Sequence, residues 1–141
     1  MVKTPNLPRS HCPINFGLEI FGDKWTLLVL RDLLFEGKTS FKQFQSSEEG
    51  IASNILSERL MRLEEAGLIR RHVVLEDARQ VRYAATDAGC ALLPVLVEMA
   101  YWGATHDART AAPKEFVKGY ERDRAGLIKV MQLGFDPSQR K

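Results

Sequence analysis

The sequence of 141 residues has little of what marks secreted, disulfide-linked or membrane-spanning proteins. It has two cysteines, Cys12 and Cys90, which are far apart and form no C-x-x-C pair. A disulfide framework is therefore not expected, and a reducing compartment is. No uninterrupted apolar run, Leu27–Leu30 included, is long enough to cross a bilayer. The stretch Met1–Arg9 has no apolar core like that of a signal peptide. We expect a cytoplasmic protein without membrane contact.

Patterns of catalytic and metal-binding residues are missing as well. His11, His72 and His106 have no metal-ligand spacing with any cysteine or carboxylate, so no metal site is predicted. No Gly-rich phosphate loop, G-x-S-x-G elbow or H-E-x-x-H motif occurs. We expect a protein that is not an enzyme and uses no cofactor. A small redox enzyme that uses Cys12 is the weak competitor, because no resolving cysteine lies close to it in sequence.

What remains is the composition of an ordinary globular domain. Apolar residues make up 45% of the chain and charged residues 27%, which excludes wholesale disorder. The length fits one domain with a terminal appendage. A net charge of +2 says little about an acidic partner by itself. The distribution of the charges along the chain is more informative.

Apolar periodicity and turn residues predict a mainly α-helical chain with one small β-hairpin. Asp23 is expected to cap the second helix, Gly67 to end the fourth, and Pro94 to kink or divide the long one. The expected order is a helix over Pro13–Gly22, a buried helix over Lys24–Glu36, a short helix opened by Thr39 or Ser40, a helix within Ile51–Gly67, strands over Leu68–Leu75 and Val81–Thr86 around a Glu76–Gln80 turn, a long helix from Thr86 or Asp87 to about His106, and a further helix over Glu121–Leu133.

Two helices joined by a polar loop and followed by a hairpin are typical of a winged helix-turn-helix protein. The second helix of such a pair must present a polar face to base edges in the major groove. We expect this face to lie opposite the leucines of the fourth helix, while arginines of the hairpin follow the DNA backbone or enter the adjacent minor groove. The alternative is a helix face and a hairpin that are merely solvated. The predicted DNA-binding residues are Lys24, Thr39, Ser40, Lys42, Ser53, Asn54, Ser57, Arg59, Arg62, Arg79 and Arg82.

A series of short motifs stands in a fixed order between Cys12 and Trp102. They are Cys12-Pro13, Gly22-Asp23-Lys24-Trp25-Thr26, Leu30-Arg31-Asp32-Leu33, Gly50-Ile51, Ile55-Leu56-Ser57-Glu58-Arg59-Leu60, Leu63-Glu64-Glu65-Ala66-Gly67-Leu68, Tyr83 and Leu92-Leu93-Pro94-Val95-Leu96. In this order they resemble the HxlR-type family of bacterial transcription regulators.

The resemblance implies a MarR-like winged-helix homodimer that binds a palindromic operator. It also implies dimer contacts from Ile14–Phe21 and Leu92–Trp102. We therefore expect a proline-containing arm over 1–12, a winged-helix domain with dimerisation helices over 13–106, and, beyond the residues that resemble the family, a helical extension over 107–141. Ala52 stands where the family often has serine, so Ser53 is expected to take over the helix cap. The expected partners are double-stranded DNA, a second copy of the chain and a small-molecule or electrophile effector. The alternative is a winged-helix protein-interaction module that does not bind DNA.

Cys12 is the candidate redox-sensing residue. Some members of the family sense electrophiles or disulfide stress through a cysteine at this position, and a thiol near a helix N-terminus can have a lowered pKa. The alternative is an unreactive thiol, partly buried at a dimer interface. Cys90 is expected to be a small packing residue, and Tyr101 and Trp102 to make dimer contacts or to line an effector cleft.

Overall fold

The computed structural model describes residues 2–3 and 7–133 and confirms a mainly α-helical chain with a hairpin wing. The remaining residues of the predicted arm and of the predicted C-terminal extension lie outside the described part. The elements are α1 (Pro13–Phe21), α2 (Thr26–Leu34), α3 (Phe41–Gln45), α4 (Ser53–Glu65), β1 (Ile69–Val74), β2 (Asp77–Ala85), α5 (Asp87–Cys90), α6 (Leu93–His106) and α7 (Lys114–Leu133).

The described residues pack as two compact units, Met1–Cys90 and Ala91–Lys141. The first holds α1 to α5 and the hairpin, and the second holds α6 and α7. The predicted division at residues 12 and 106 concerns the roles of the segments and stays a prediction.

The core of the first unit forms around α2, which is apolar on nearly every side. Leu30 and Leu34 of α2 are fully buried, as are Leu56, Leu60 and Leu63 of α4. The three leucines of α4 are spaced four and three residues apart, so they lie on one face of that helix. The expected burial of the second helix is therefore confirmed.

The first turn of α2 depends on Asp23. Its Oδ1 accepts hydrogen bonds from the backbone N–H groups of Trp25, at 2.7 Å, and Thr26, at 3.0 Å. The Thr26 hydroxyl donates to Oδ2 at 2.5 Å. Asp23 thus binds the first N–H groups of this turn, but the predicted cap is displaced: Trp25 occupies the N-cap position, and α2 begins at Thr26 and not at Lys24.

Helix α4 ends where glycine allows a left-handed residue. Gly67 has φ +81°, its N–H donates to the Glu64 carbonyl at 3.0 Å, and the Leu68 N–H donates to the Leu63 carbonyl at 2.9 Å. This is the Schellman arrangement, which satisfies carbonyls at a helix end. The predicted stop at Gly67 is thus confirmed. The predicted cap at Ser53 is wrong, because Ala52 occupies the cap position and the Ser53 hydroxyl accepts a hydrogen bond from the Gln45 side chain.

The hairpin is antiparallel, with Ile69 opposite Ala85 and Val73 opposite Val81, and its register shifts between Val73 and Val74. The turn lies at residues 75–76, and β2 already begins at Asp77. The predicted turn over Glu76–Gln80 was too long, because the register shift lets polar residues continue the second strand.

In the second unit, α6 and α7 are joined by aromatic and ionic contacts. The rings of Tyr101 and Tyr120 stack with centroids 3.7 Å apart, and the Tyr120 hydroxyl donates to Glu98 at 2.7 Å. Helix α7 begins at Lys114, well before the predicted Glu121, and its backbone leaves the helical region at Asp123. The carboxylate of Asp123 accepts the Gly126 N–H at 3.0 Å and so restarts the helix.

The predicted division near Pro94 is confirmed, since α5 ends at Cys90 and Pro94 lies in the first turn of α6. By length and composition alone, the stretch Asp87–His106 could cross a membrane, with a mean hydropathy of 1.3. Core helices of soluble proteins reach the same length and hydropathy, so this stretch by itself does not indicate a membrane span. The absence of membrane contact stays a prediction.

Candidate nucleic-acid interface

The turn between α3 and α4 is fixed to α2 by a network of charged groups. The Arg31 guanidinium donates to both carboxylate oxygens of Glu49, at 2.7 and 2.8 Å, and to the buried Asp32 at 2.8 Å. The Ser47 hydroxyl donates to Asp32 and accepts from the Lys38 ammonium at 2.6 Å. The hydrogen bonds from Arg31 lower the pKa of Glu49 to about 2. The turn is thereby held at a defined place on the core.

Helix α3 is short, and its first turn is closed by a capping box. The Ser40 hydroxyl accepts the Gln43 N–H at 3.2 Å, and the Gln43 side chain accepts the N–H groups of Ser40, at 3.1 Å, and Thr39, at 2.9 Å. The Ser40 side chain, predicted to bind DNA, therefore also has a structural role. Lys42, the second residue of α3, is exposed.

The outward face of α4 carries predicted DNA-binding residues. Ser53, Asn54, Ser57 and Arg62 are all exposed, as required of side chains that reach into a groove. They lie on the helix that follows the fixed turn. The structure therefore brings these predicted residues together on one element.

Arg59 is the exception among the predicted residues of α4. Its side chain is 19% exposed, and its Nε donates to Asp23 Oδ1 at 3.1 Å. The expectation that it projects opposite the leucines is wrong. Each residue turns a helix by about 100°, so a residue three after Leu56 and one before Leu60 lies at the edge of the leucine stripe. That spacing was the sequence signal that could have placed it correctly.

Glu58 also lies on α4, although it is not among the predicted DNA-binding residues. It forms an ion pair with Arg59, and its Oε1 lies 3.6 Å from Nε of Arg62, four residues further along the helix. A Glu–Arg spacing of four residues is the signal that could have revealed it. Glu58 partly balances the charge of Arg62 on the face proposed for DNA.

A second group of predicted residues surrounds an open groove of about 500 Å³ between the start of α3 and strand β2. Ser40, Lys42, Arg79 and Arg82 are among its lining residues. The Arg82 guanidinium donates to the Thr39 hydroxyl at 3.4 Å, which places Thr39 beside the groove. The Thr39 carbonyl also accepts the Tyr83 N–H at 2.8 Å and so ties the wing to α3. Cations gathered in this way attract phosphate.

Lys24 is exposed in the loop between α1 and α2. It directly follows Asp23, whose carboxylate binds Arg59 of α4. The loop that carries Lys24 is therefore held beside α4.

Cys12 is exposed at the N-cap position of α1, as its predicted place before a helix requires. Its backbone N–H donates to the Ser10 hydroxyl at 3.3 Å. The nearby Arg9 guanidinium instead contacts Glu19, at 2.8 Å, and Asn15, at 2.7 Å. The positive charge of Arg9 is thus largely balanced within α1.

A groove of about 410 Å³ lies between the N-terminal arm, α1 and the end of α4. Phe16, Ile20 and Leu63 contribute apolar surface, and Lys3 and Arg62 contribute positive charge. Glu19 and Glu65 also line the groove and balance these charges, so its size and apolar surface suit a small molecule without favouring either sign of charge. It is a candidate location for the predicted effector.

Comparison with known proteins defines the family. The profile of HxlR-like helix-turn-helix proteins matches residues 20–111, which is well over half of the chain. The chain belongs to this family. YybR of Bacillus subtilis strain 168, an uncharacterised helix-turn-helix transcriptional regulator, is 27% identical over 88% of this chain and 91% of its own length.

Solved structures of related proteins agree. The sequence of PA1607, a protein of known crystal structure, is 40% identical to this chain, and the two structures superpose with a TM-score of 0.63. The match covers 76% of this chain and 71% of PA1607. The oxidised form of the redox regulator HypR is 30% identical, with a TM-score of 0.60 over 68% of this chain and 98% of its own. The HxlR-like chain is therefore a helix-turn-helix protein of a family of transcriptional regulators. Helix α7 begins beyond the residues that the family profile matches.

The hydrogen bonds to Asp23 should make the stability of this HxlR-like protein depend on pH in acid. Partial burial acts to raise the pKa of Asp23, but the bonds from Thr26, Trp25 and Arg59 outweigh it and lower the pKa to about 2 from an ordinary 3.8. An acid with a lowered pKa stabilises the fold above its unfolded pKa, and this contribution is lost as the pH falls through the folded value. We expect Asp23→Asn, which keeps a capping oxygen, to lower the free energy of unfolding at pH 7 by about 1–2 kcal/mol, a figure reduced for solvent screening.

Urea unfolding measured from pH 7 to pH 2 checks this. The variant should lose part of the acid dependence between pH 4 and pH 2, while Glu48→Gln, at an exposed acid, should keep the wild-type curve. A variant with the full wild-type dependence in that range would show that Asp23 does not contribute to it.

Proposed function

We propose that this HxlR-like protein regulates transcription as a homodimer that inserts α4 of each subunit into the major groove of a palindromic operator. The observation that carries the proposal is the exposed polar face of α4 on a helix-turn-helix scaffold with a cation-lined groove. Such a scaffold can present side chains to base edges and cations to phosphates at once. The family of transcriptional regulators to which the chain belongs supports the same conclusion.

The residues divide by chemistry. Ser53, Asn54 and Ser57 have short donor and acceptor groups suited to base edges, with asparagine matching adenine. Arg62 of this face, together with cations and hydroxyls outside α4, is assigned to the phosphate backbone. These backbone contacts are Lys24, Thr39, Ser40, Lys42, Arg62, Arg79 and Arg82.

The salt dependence of binding tests the backbone contacts. Each lost phosphate contact reduces the slope of log affinity against log salt by about 0.9. We expect the double variant Lys42→Ala/Arg79→Ala to bind all DNA sequences more weakly and to reduce the slope by about 2 units. Fluorescence anisotropy on a fragment selected from a random DNA pool measures both quantities.

Arg122→Ala is the matched control, because it removes an exposed arginine beyond the residues that match the family. It should retain the wild-type slope. A double variant with unchanged affinity and slope would remove the groove from the interface. A wild-type protein that enriches no DNA and shows no salt-dependent binding would favour the alternative, a protein-interaction module.

Exposed apolar side chains support the homodimer. No residue of the fully described helix α1 is buried, and Ile14 and Leu18 are 75% and 51% exposed. On α6, Met99 and Trp102 are 54% and 65% exposed. Large exposed apolar patches mark interaction surfaces. We assign α1 and α6 to the dimer interface, and a two-fold dimer would place its α4 helices about 34–36 Å apart or a multiple of this.

A charge on the α1 face should weaken the dimer. We expect light scattering at micromolar concentration to show a dimer for the wild type and more monomer for Leu18→Glu, because a buried unpaired carboxylate is costly. Leu75→Glu makes the same change at the fully exposed tip of the wing and should stay dimeric. A monomeric wild type would contradict the dimer, and a fully dimeric Leu18→Glu variant would contradict the role of α1.

We further propose that modification of Cys12 changes operator affinity. Cys12 is exposed and stands two residues before Ile14, at the start of the helix assigned to the dimer. The related protein HypR is a redox regulator, which supports a redox signal for this chain. A modest change in subunit spacing would suffice, since a coupling of about 1–3 kcal/mol changes affinity roughly 5- to 150-fold.

Operator binding before and after diamide treatment tests the sensor. We expect the affinity of the wild type to change and that of Cys12→Ser to stay constant, because only the wild type has the thiol at the start of α1. Cys90→Ser, which alters a half-buried thiol, should respond like the wild type. An equal response of wild type and Cys12→Ser would exclude Cys12, and a response lost only in Cys90→Ser would assign the role to the other cysteine.

A further inference from the structure

We propose that Arg59 is a positioning residue for DNA recognition, which fixes the orientation of α4 by clamping it to the loop before α2 through Asp23. This inference rests on the proposed DNA-binding function and deepens it. It assigns to Arg59 a role other than reading a base.

The clamp joins two elements that are far apart in sequence. The Arg59 Nε donates to Asp23 Oδ1 at 3.1 Å, across 36 residues of chain. The side chains of Arg59 and Asp23 are only 19% and 24% exposed. The carboxylate is itself held by the first turn of α2, where Thr26 is buried. Asp23 is therefore a fixed anchor and not a mobile surface acid.

Apolar burial determines which face of α4 turns inward, and a directional bond can define its rotation more closely. The contacts of Leu56, Leu60 and Leu63 are non-directional, whereas a charge-assisted hydrogen bond has a defined geometry. A helix with side chains has a radius of about 5–6 Å, so a rotation of about 20° moves an outer side chain by about 2 Å. That movement would break a hydrogen bond to a base edge.

The second carboxylate beside Arg59 extends the effect to the outer face of α4. Glu58 forms ion pairs with both Arg59 and Arg62. The Arg59 guanidinium is thus placed between two carboxylates, which balance its charge and leave it poorly suited to attract a phosphate. Successive ion pairs therefore connect the loop before α2 to Arg62, a proposed contact to the DNA backbone. They join Asp23 to Arg59, Arg59 to Glu58, and Glu58 to Arg62.

The test compares Arg59→Met, Asp23→Asn and the double variant on a DNA fragment selected with the wild type. Asn keeps a capping oxygen at position 23, so the change removes chiefly the charge of the clamp. We expect each single variant to lose about tenfold in operator affinity and the double variant to lose no more than the worse single variant, since contacting residues are non-additive. The loss should extend over every base position read by α4, with an unchanged salt slope and unchanged affinity for non-specific DNA.

Other outcomes overturn the inference. A direct base contact by Arg59 would relax the preference at one base position, and a direct phosphate contact would reduce the salt slope by about one unit. Additive losses in the double variant would show that Asp23 and Arg59 act separately. If Arg59→Met does not fold by circular dichroism, Arg59→Lys, which keeps the charge but not the planar fork, should show a smaller loss of the same pattern. A wild-type protein that binds no DNA would instead refute the proposed function itself.

Discussion

The burial of Leu56, Leu60 and Leu63 determines which side chains of α4 reach solvent. Each buried leucine contributes about 1.5–3 kcal/mol relative to an exposed one, so this face cannot be turned outward without a large loss of stability. With that face inward, Asn54, Ser57 and Arg62 are exposed. The chemistry available to a DNA groove is therefore a consequence of how α4 contributes to the core.

Two hydrogen-bond networks fix the orientation of the elements around α4, which non-directional apolar contacts do not define. One is centred on Asp32, which is buried and receives hydrogen bonds from Arg31 and Ser47. The other is centred on Asp23, which binds the first turn of α2 and Arg59. Removing charges from water is costly, and networks of this kind stabilise a fold only when their hydrogen bonds are well satisfied. Here the two networks hold the turn before α4 and the middle of α4.

The features that sequence could predict are those set by local chemistry. The leucine spacing, the glycine stop at Gly67 and the proline at the start of α6 each act within a few residues. Two of the errors concern side chains whose hydrogen-bond partners lie outside their own helix. Arg59 turns toward Asp23, 36 residues away, and the Ser53 hydroxyl binds Gln45 of the preceding helix. Neither partner is visible in a helical pattern.

The position of Asp23 also bears on how a signal at α1 could reach DNA. A single residue, Gly22, separates the end of α1 from the carboxylate that holds Arg59. A Cβ at Gly22 would lie 2.4 Å from the Leu18 carbonyl oxygen, so this junction is tight and accepts only glycine without rearrangement. A helix of nine residues is a stiff rod of about 14 Å. A shift of α1 within a dimer would therefore displace Asp23 and, through its bond to Arg59, change the orientation of α4.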